Sequence, residues 1–377
     1  MPPDAVVVGG SDDATLLRDL LGAVRGGAPA AVVDAAWPGA LREAVVAQVR
    51  AAVADGRLGP CDLVLATSGS SGAPRAVVRS TASWDASIGP VSQVTGTTGD
   101  DVVWLPGPLT STLSLYAAWH ATALGSRLLL RDDPDVTAAT VVHSVPSVLA
   151  RLAAAPERVP ALRTVVVAGD RLTATTREAA GRRGWDVVEY YGAAELSFVA
   201  HRRHDGAFTP FPGVDLDVRD DVVWVRSPYL SRGYLTSAPG PFRSDRGWAT
   251  VGDRGALEGR DAGRDRLHLH GRGHDAVVTG GTTVVTSDVE RHLAAVPGVR
   301  AVAVVGTPDS RLGEVVTAVL SGTATRRSLL DAAAQLPAAA RPRRWVRVED
   351  LPLTAAGKVS RADVVARLRD GRLPSGP

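Results

Sequence analysis

The segment Thr67-Ser68-Gly69-Ser70-Ser71-Gly72-Ala73-Pro74-Arg75 places four hydroxyls and two glycines directly after the apolar run Asp62–Ala66. Small residues let backbone N–H groups close on an anion, and hydroxyls add donors, so this is the chemistry of a phosphate-binding loop. The same composition also suits a flexible linker. The strand-like run before it and the Pro74-Arg75 ending favour the loop. A Walker loop is excluded, because G-x-x-x-x-G-K-[ST] is absent. Lys358 is a second candidate: it is the only lysine, and the other 41 of the 42 basic residues are arginine. A G+C-rich coding sequence accounts for the arginines but leaves the exception open. Two carboxylates, Glu195 and Asp253, follow glycine turns, where an acidic side chain is commonly solvated.

Periodicity supplies the elements that must position these groups. Ala14–Val24 has helical spacing, with Leu16, Leu17, Leu20 and Leu21. Ala5–Val8, Asp62–Ala66, Val102–Leu105, Ser126–Leu130, Thr140–His143, Thr164–Ala168 and Val187–Tyr191 read as strands. Helical patterns such as Ser147–Ala155 and Thr173–Gly181 fall between them, which predicts α/β units around a largely parallel sheet. Beyond about Pro210, the short strands Val214–Arg219, Val222–Arg226 and Leu267–His270 predict a small antiparallel β-subdomain. The helices Asp288–Ala295 and Ser328–Leu336 and the strands Val299–Val305, Glu314–Leu320 and Trp345–Val348 predict a compact α+β unit. The expected fold is a large N-terminal α/β domain over residues 1–271, with parallel-rich sheets, helices and a β-subdomain. A small mobile α+β domain over 272–377 follows, with the boundary at Gly271–His274.

A 45% hydrophobic and 22% charged composition fits a soluble globular protein, and a net charge of +2 gives no reason to expect a nucleic-acid or anionic-membrane partner. One cysteine, Cys61, cannot form an intramolecular disulfide. No signal peptide is visible. Val102–Ser126, the longest uncharged stretch, is broken by Pro106, Gly107 and Pro108, which predicts a loop and a buried helix and no membrane span. The expected location is the cytoplasm.

Taken in order, six segments resemble the signatures of the AMP-forming acyl- and aryl-CoA synthetase superfamily, which includes luciferases and the adenylation domains of peptide synthetases. Thr67–Arg75 resembles T-S-G-[ST]-[ST]-G-x-P-K, with arginine for the lysine. Tyr190-Tyr191-Gly192-Ala193-Ala194-Glu195 resembles Y-G-x-T-E, and Val225-Arg226-Ser227-Pro228 through Gly233-Tyr234 resembles the next block. Trp248 to Gly252-Asp253 resembles W-x-T-G-D. Gly271-Arg272-Gly273-His274-Asp275, with Gly280-Gly281 and Asp288-Val289-Glu290, resembles the hinge block. Pro352 to Arg361 resembles P-x-T-x-x-G-K-x-x-R.

The resemblance implies that ATP activates a carboxylate to an acyl-adenylate and that a thiol, usually that of coenzyme A, then displaces AMP. It implies ATP, Mg²⁺ and coenzyme A as cofactors or co-substrates. Thr67, Ser68, Gly69, Ser70, Ser71 and Gly72 would wrap the phosphates, and Arg75 would either add charge or lie in solvent. Glu195, with Thr67, would hold Mg²⁺. Tyr191 would stack on adenine, with Gly169, Asp170, Gly192 and Ala193 lining that pocket. Asp253 would accept from the ribose hydroxyls and Arg272 would reinforce it. Lys358, from the small domain, would bridge the carboxylate and the α-phosphate, a task that suits an ammonium better than a planar guanidinium. His274 would be the hinge.

The chain departs from the family pattern at several points. Ala194 replaces the threonine whose hydroxyl contacts the α-phosphate. His274 stands where Asp or Lys is usual. Ser111 takes the place of the histidine in P-L-F-H, leaving an acyl pocket lined by Trp104, Ser111, Leu113, Tyr116 and Trp119. Only 66 residues precede the loop, which implies a pared-down N-terminal subdomain. The expected function is an acyl-CoA ligase for a fatty or other hydrophobic acid. The alternatives are an o-succinylbenzoate-CoA ligase-like enzyme, an enzyme loading an acyl carrier protein, and a non-catalytic nucleotide-binding relative.

Overall fold

The computed structural model describes residues 6–8, 12–35, 39–67, 75–170, 172–236, 241–261, 264–272, 276–279, 282–309, 312–354 and 357–371. The first of four sheets orders Val6–Val8, Ala30–Val32, Asp62–Thr67, Arg75–Ser80 and Gly233–Tyr234. Its first three strands are parallel. Arg75–Ser80 then returns antiparallel to Asp62–Thr67, with Thr67 opposite Arg75, so residues 68–74 join the two strands of a hairpin.

The second sheet has seven strands, in the order Thr209–Pro210, Ser197–Arg202, Asp186–Ala193, Thr164–Val167, Val141–Ser144, Val102–Trp104, Arg127–Leu129. The last five are mutually parallel. Val141, Val142, Val165, Val166 and Val167 are all buried, as expected of strands covered on both faces. The third sheet is antiparallel and ends with the paired strands Asp253–Asp261 and Arg264–Arg272. The fourth is built from Ala276–Thr279, Thr282–Val285, Val299–Asp309, Gly313–Gly322 and, in parallel, Arg344–Arg347.

Alternation along the strands separates the cores. Val103, Val141 and Val166 face a cluster that also holds Leu63, Leu65 and Val77 of the first sheet. Trp104, Val142, Val165 and Val167 face the opposite cluster, under Leu149 and Leu152. The helix Thr112–Leu124 is caught between the first two sheets, so every residue from Ser114 to Ala121 is buried and no polar stripe is possible. Gly125 ends it in the left-handed region, at φ 74°.

Two histidines are sealed in this inner core. His120 is wholly buried and lies 2.9 Å from the Ser92 hydroxyl through Nε2, while its Nδ1 and the Nε2 of His143 have no hydrogen-bond partner. Burial pulls His120 down to about 4; burial, and then His120 itself, pulls His143 to about 3. Between pH 6.5, the ordinary histidine value, and about 4, the unfolded chain binds these two protons and the native chain does not. Stability contributed by the neutral pair is therefore complete above 6.5 and is lost on acidification, at roughly 2.7 kcal/mol per pH unit for two sites. Urea unfolding between pH 6.5 and 4.5 should show that fall, and His143→Leu should make it about half as steep. An unchanged slope would contradict the buried neutral pair.

Candidate active site

Lys358 stands over the carboxyl end of the parallel strand Thr164–Val167. Gly169, just beyond that strand, has φ +92°, and a Cβ there would lie 3.0 Å from Lys358 Cε and 3.6 Å from Val145 Cγ1. The positive φ calls for glycine, and a Cβ there would also press on the Lys358 side chain. Lys358 is held by its own turn and by the large domain. Gly357, at φ +77°, packs so closely on Val145 that a Cβ would come within 2.8 Å of its Cγ2. Ser147 Oγ donates to the Gly357 carbonyl at 3.0 Å, and the Val359 N–H donates to Asp170 at 3.3 Å. Within the turn, the Thr354 N–H donates to the Lys358 carbonyl at 2.6 Å. Arg361, three residues on, donates to the buried Glu290 at 2.6 Å, tying the helix Arg361–Arg369 to its own domain. Burial raises the Glu290 pKa, and Asp170 across the interface raises it further, against the opposing effect of Arg361.

Glu195 sits in the turn between Asp186–Ala193 and Ser197–Arg202 and is 8% exposed. Tyr234 Oη donates to Glu195 Oε1 at 2.7 Å, and the Ser231 N–H donates to the Glu195 carbonyl at 2.9 Å. Tyr234 pairs with Val77 on the edge of the first sheet. Burial pushes its phenol up, the bond to Glu195 adds to that rise, and Arg75 opposes it. Arg75 is half-buried and shares a strand face with Val77. Gly192 has no room for a side chain, because a Cβ would lie 2.1 Å from the Ser197 carbonyl.

Asp253 opens the strand Asp253–Asp261 and is 7% exposed. Tyr191 Oη donates to it at 2.8 Å, which brings the two predicted nucleotide contacts together. Arg272 is the backbone partner of Asp253 in the next strand. Thr67 ends its strand opposite Arg75. Ser68, Gly69, Ser70, Ser71, Gly72 and the hinge His274 lie outside the described residues. Lys358, Gly169 and Asp170 thus gather at the carboxyl end of a parallel sheet, where open α/β folds bind ligands. Asp253 with Tyr191, and Glu195 with Tyr234, form two further pairs.

Residues 59–235 match the AMP-binding enzyme family and residues 288–358 match the AMP-binding enzyme C-terminal domain. An uncharacterized acyl–CoA ligase, YhfT of Bacillus subtilis, is 30% identical over 332 residues, covering 79% of this chain and 67% of its own length. A probable 2-succinylbenzoate–CoA ligase of Mycobacterium tuberculosis is 30% identical over 333 residues, covering 81% of this chain and 84% of the relative. The chain belongs to the AMP-binding enzyme family. Its fold matches an ATP-bound RpMatB-BxBclM chimera at TM-score 0.79 and 25% identity, over 98% of this chain and 90% of that one. The amide bond synthetase McbA from Marinactinospora thermotolerans matches at TM-score 0.78 and 25% identity, over 97% and 90%. The family's activity is adenylate formation for acid–CoA ligation.

Within this family frame, the expectation of a single acyl pocket needs correction. Trp104 faces the outer core, on the opposite side of the second sheet from the helix that carries Tyr116 and Trp119. Tyr116 and Trp119 pack with Trp84, whose ring centroid lies 5.5 and 5.6 Å from theirs, and Tyr116 stands edge-on to Phe198 at 4.5 Å. Ser111 and Leu113, at the start of that helix, are only half-buried. Among the described residues no cluster of three or more His, Cys, Asp or Glu could hold a metal. None of the described helices is long and apolar enough to cross a membrane. The sequence reading left Ser147, Val145 and the Tyr234–Glu195 contact unassigned. Tyr234 lay inside a recognised block, which was the available signal.

Tyr234→Phe removes one donor from a buried carboxylate and should cost about 1 kcal/mol of stability. It should also raise the Mg²⁺ concentration needed for half-maximal ATP–pyrophosphate exchange several-fold. A lower melting temperature with unchanged Mg²⁺ dependence would contradict a link between Tyr234 and metal binding at Glu195.

Proposed function

We propose that this AMP-binding enzyme activates a fatty or other hydrophobic carboxylic acid with ATP and transfers the acyl group to the thiol of coenzyme A. The observation that carries this reading is the approach of the single lysine to Gly169. The acid's oxygen attacks the α-phosphorus, the bond to the bridging oxygen breaks, and pyrophosphate leaves. The thiol then attacks the acyl carbon and AMP leaves. In-line displacement of this kind needs positioning and charge neutralisation more than covalent help from the protein. The Lys358 ammonium would contact both the incoming carboxylate and the α-phosphate. Asp253 and Arg272 would hold the ribose, Tyr191 and Gly169 to Asp170 the adenine, and the Thr67–Gly72 loop with Arg75 the outer phosphates.

Glu195 Oε2 has no donor among the described residues, so one hard oxygen is available to Mg²⁺, which would neutralise the phosphates when bound. Ser111 and Leu113 would border the acid where it meets the first turn of the helix. A cavity of about 370 Å³ on the small domain supports a phosphorylated acceptor: Arg326, Arg343, Arg344 and Arg369 line it beside Trp345. The resemblance to the 2-succinylbenzoate–CoA ligase of Mycobacterium tuberculosis favours a second reading, in which the acid is an aryl dicarboxylate.

Acid-dependent exchange of labelled pyrophosphate into ATP, run over fatty, aromatic and aryl dicarboxylic acids, tests both readings. Exchange and CoA-ester formation with one acid class are expected, whereas no exchange with any acid would support a non-catalytic relative. Ester formation only on a carrier protein would overturn CoA as acceptor. Lys358→Ala and Lys358→Arg should both lower the exchange rate by roughly 10²-fold or more, the loss typical of a single transition-state donor. Full exchange by Lys358→Ala would overturn the mechanism.

A further inference from the structure

Directly beneath Glu195 lies an arginine that none of the roles above uses. Arg79 belongs to the strand Arg75–Ser80, on the same inward face as Val77, and is completely buried. Its Nη2 donates to the Ala194 carbonyl at 2.7 Å, its Nη1 lies 3.4 Å from Ser83 Oγ, and the guanidinium stands 5.4 Å from the Trp84 ring centroid. Among the described residues Nε has no partner and no carboxylate forms a salt bridge with Arg79. Burial lowers its pKa to about 10, and the Glu195 carboxylate opposes the fall, so the group stays charged at neutral pH. A buried cation without a salt bridge costs several kcal/mol, and an apolar residue of similar size would ordinarily be at least as stable. Such an arrangement points to function at the site above it.

The geometry of one peptide unit gives that function. The Ala194–Glu195 bond is trans, like every described peptide bond, so its N–H points opposite to its carbonyl. Arg79 holds the carbonyl from one side. On the other side, the Glu195 N–H has no acceptor among the described residues. A charged donor on a carbonyl also polarises the whole amide and makes its N–H a stronger donor. The neighbouring Ala194 carries no hydroxyl to do this work.

We propose that Arg79 is a positioning residue for adenyl transfer. From below, it fixes and polarises the Ala194–Glu195 peptide so that the Glu195 N–H meets an oxygen of the α-phosphate as pyrophosphate leaves. The inference rests on the adenylation reading above, and it adds a donor, a residue that aims it, and a reason why alanine at 194 is tolerated. It also accounts for an arginine where the strand would otherwise take an apolar side chain.

The test measures pyrophosphate exchange and melting temperature for the unmodified protein, Arg79→Lys, Arg79→Met and Arg79→Met with Ala194→Thr. Each is assayed with ATP and with the two diastereomers of its α-phosphorothioate. Removing one preorganised transition-state donor costs about 10²-fold in rate, and Arg79→Met should lose on that order in kcat with little change in the ATP KM. Arg79→Lys, which keeps the charge, should lose less. The added threonine hydroxyl should restore part of the loss. The unmodified protein should prefer one phosphorothioate diastereomer, and that preference should shrink in both single variants. If Arg79→Met does not fold, Arg79→Lys still carries the test. An unchanged kcat and diastereomer preference in Arg79→Lys or Arg79→Met, whatever the melting temperature, would overturn the role of Arg79. Absence of exchange by the unmodified protein with every acid would overturn the adenylation reading and this inference together.

Discussion

The close approach of the Lys358 side chain to Gly169 is the contact on which the rest of the site depends. Two glycines in the left-handed region, Gly169 and Gly357, meet across Val145; a Cβ on Gly357 would clash with it, and a Cβ on Gly169 would crowd the Lys358 side chain. The far end of the lysine side chain therefore lies against the backbone at Gly169, at the carboxyl end of the sheet. Because one partner belongs to the small domain, the contact also reports the relation between domains. The hydrogen bonds from Ser147 to the Gly357 carbonyl and from the Val359 N–H to Asp170 both cross between the domains. Moving the small domain away would break those two bonds and withdraw one lysine.

Charged groups lie at graded depths in the candidate site: Lys358 comes from the small domain, Glu195 is 8% exposed, and Arg79 is completely buried. Low surrounding dielectric makes each interaction stronger than it would be in water, and fixed groups need no reorganisation when phosphate charge shifts. Tyr234 and Ser231 hold Glu195 from the side, so neither its backbone nor its carboxylate depends on ligand for orientation. Asp253 is likewise held in advance by Tyr191.

Much of this was legible in the residues. Periodicity located the five parallel strands of the second sheet, because parallel strands buried on both faces read as apolar runs, and it missed the antiparallel strands Ser197–Arg202 and Thr209–Pro210 at the edge. Lys358, Glu195 and Asp253 stood out because their types and spacings are tied to chemistry. Four features were not legible, each for a tertiary reason. The alternation of Arg75, Val77 and Arg79 looks like a solvent face until the Ala194 carbonyl is seen to meet it. Tyr116 and Trp104 are both large aromatics close in sequence, yet one lies on a helix inside the sheet sandwich and the other faces the opposite core. The return of Arg75–Ser80 as an antiparallel strand depends on pairing with a neighbour, which local propensity does not report. Ser147 and Val145 matter only because a loop some two hundred residues later comes to rest on them.

The central claim is that Lys358 works at the nucleotide end of the parallel sheet, and the single lysine in the sequence allows a direct measurement. An amine-directed label can react only with Lys358 and the N-terminal amine, and peptide mass analysis separates the two. Labelling rates should be measured with no ligand, with ATP and Mg²⁺, and with a non-hydrolysable acyl-adenylate analogue. The analogue should slow labelling of Lys358 by roughly tenfold or more while the N-terminal amine reacts at an unchanged rate, as expected for an ammonium held between two ligand oxygens. An equal Lys358 labelling rate in all three conditions, with analogue binding verified separately, would contradict it.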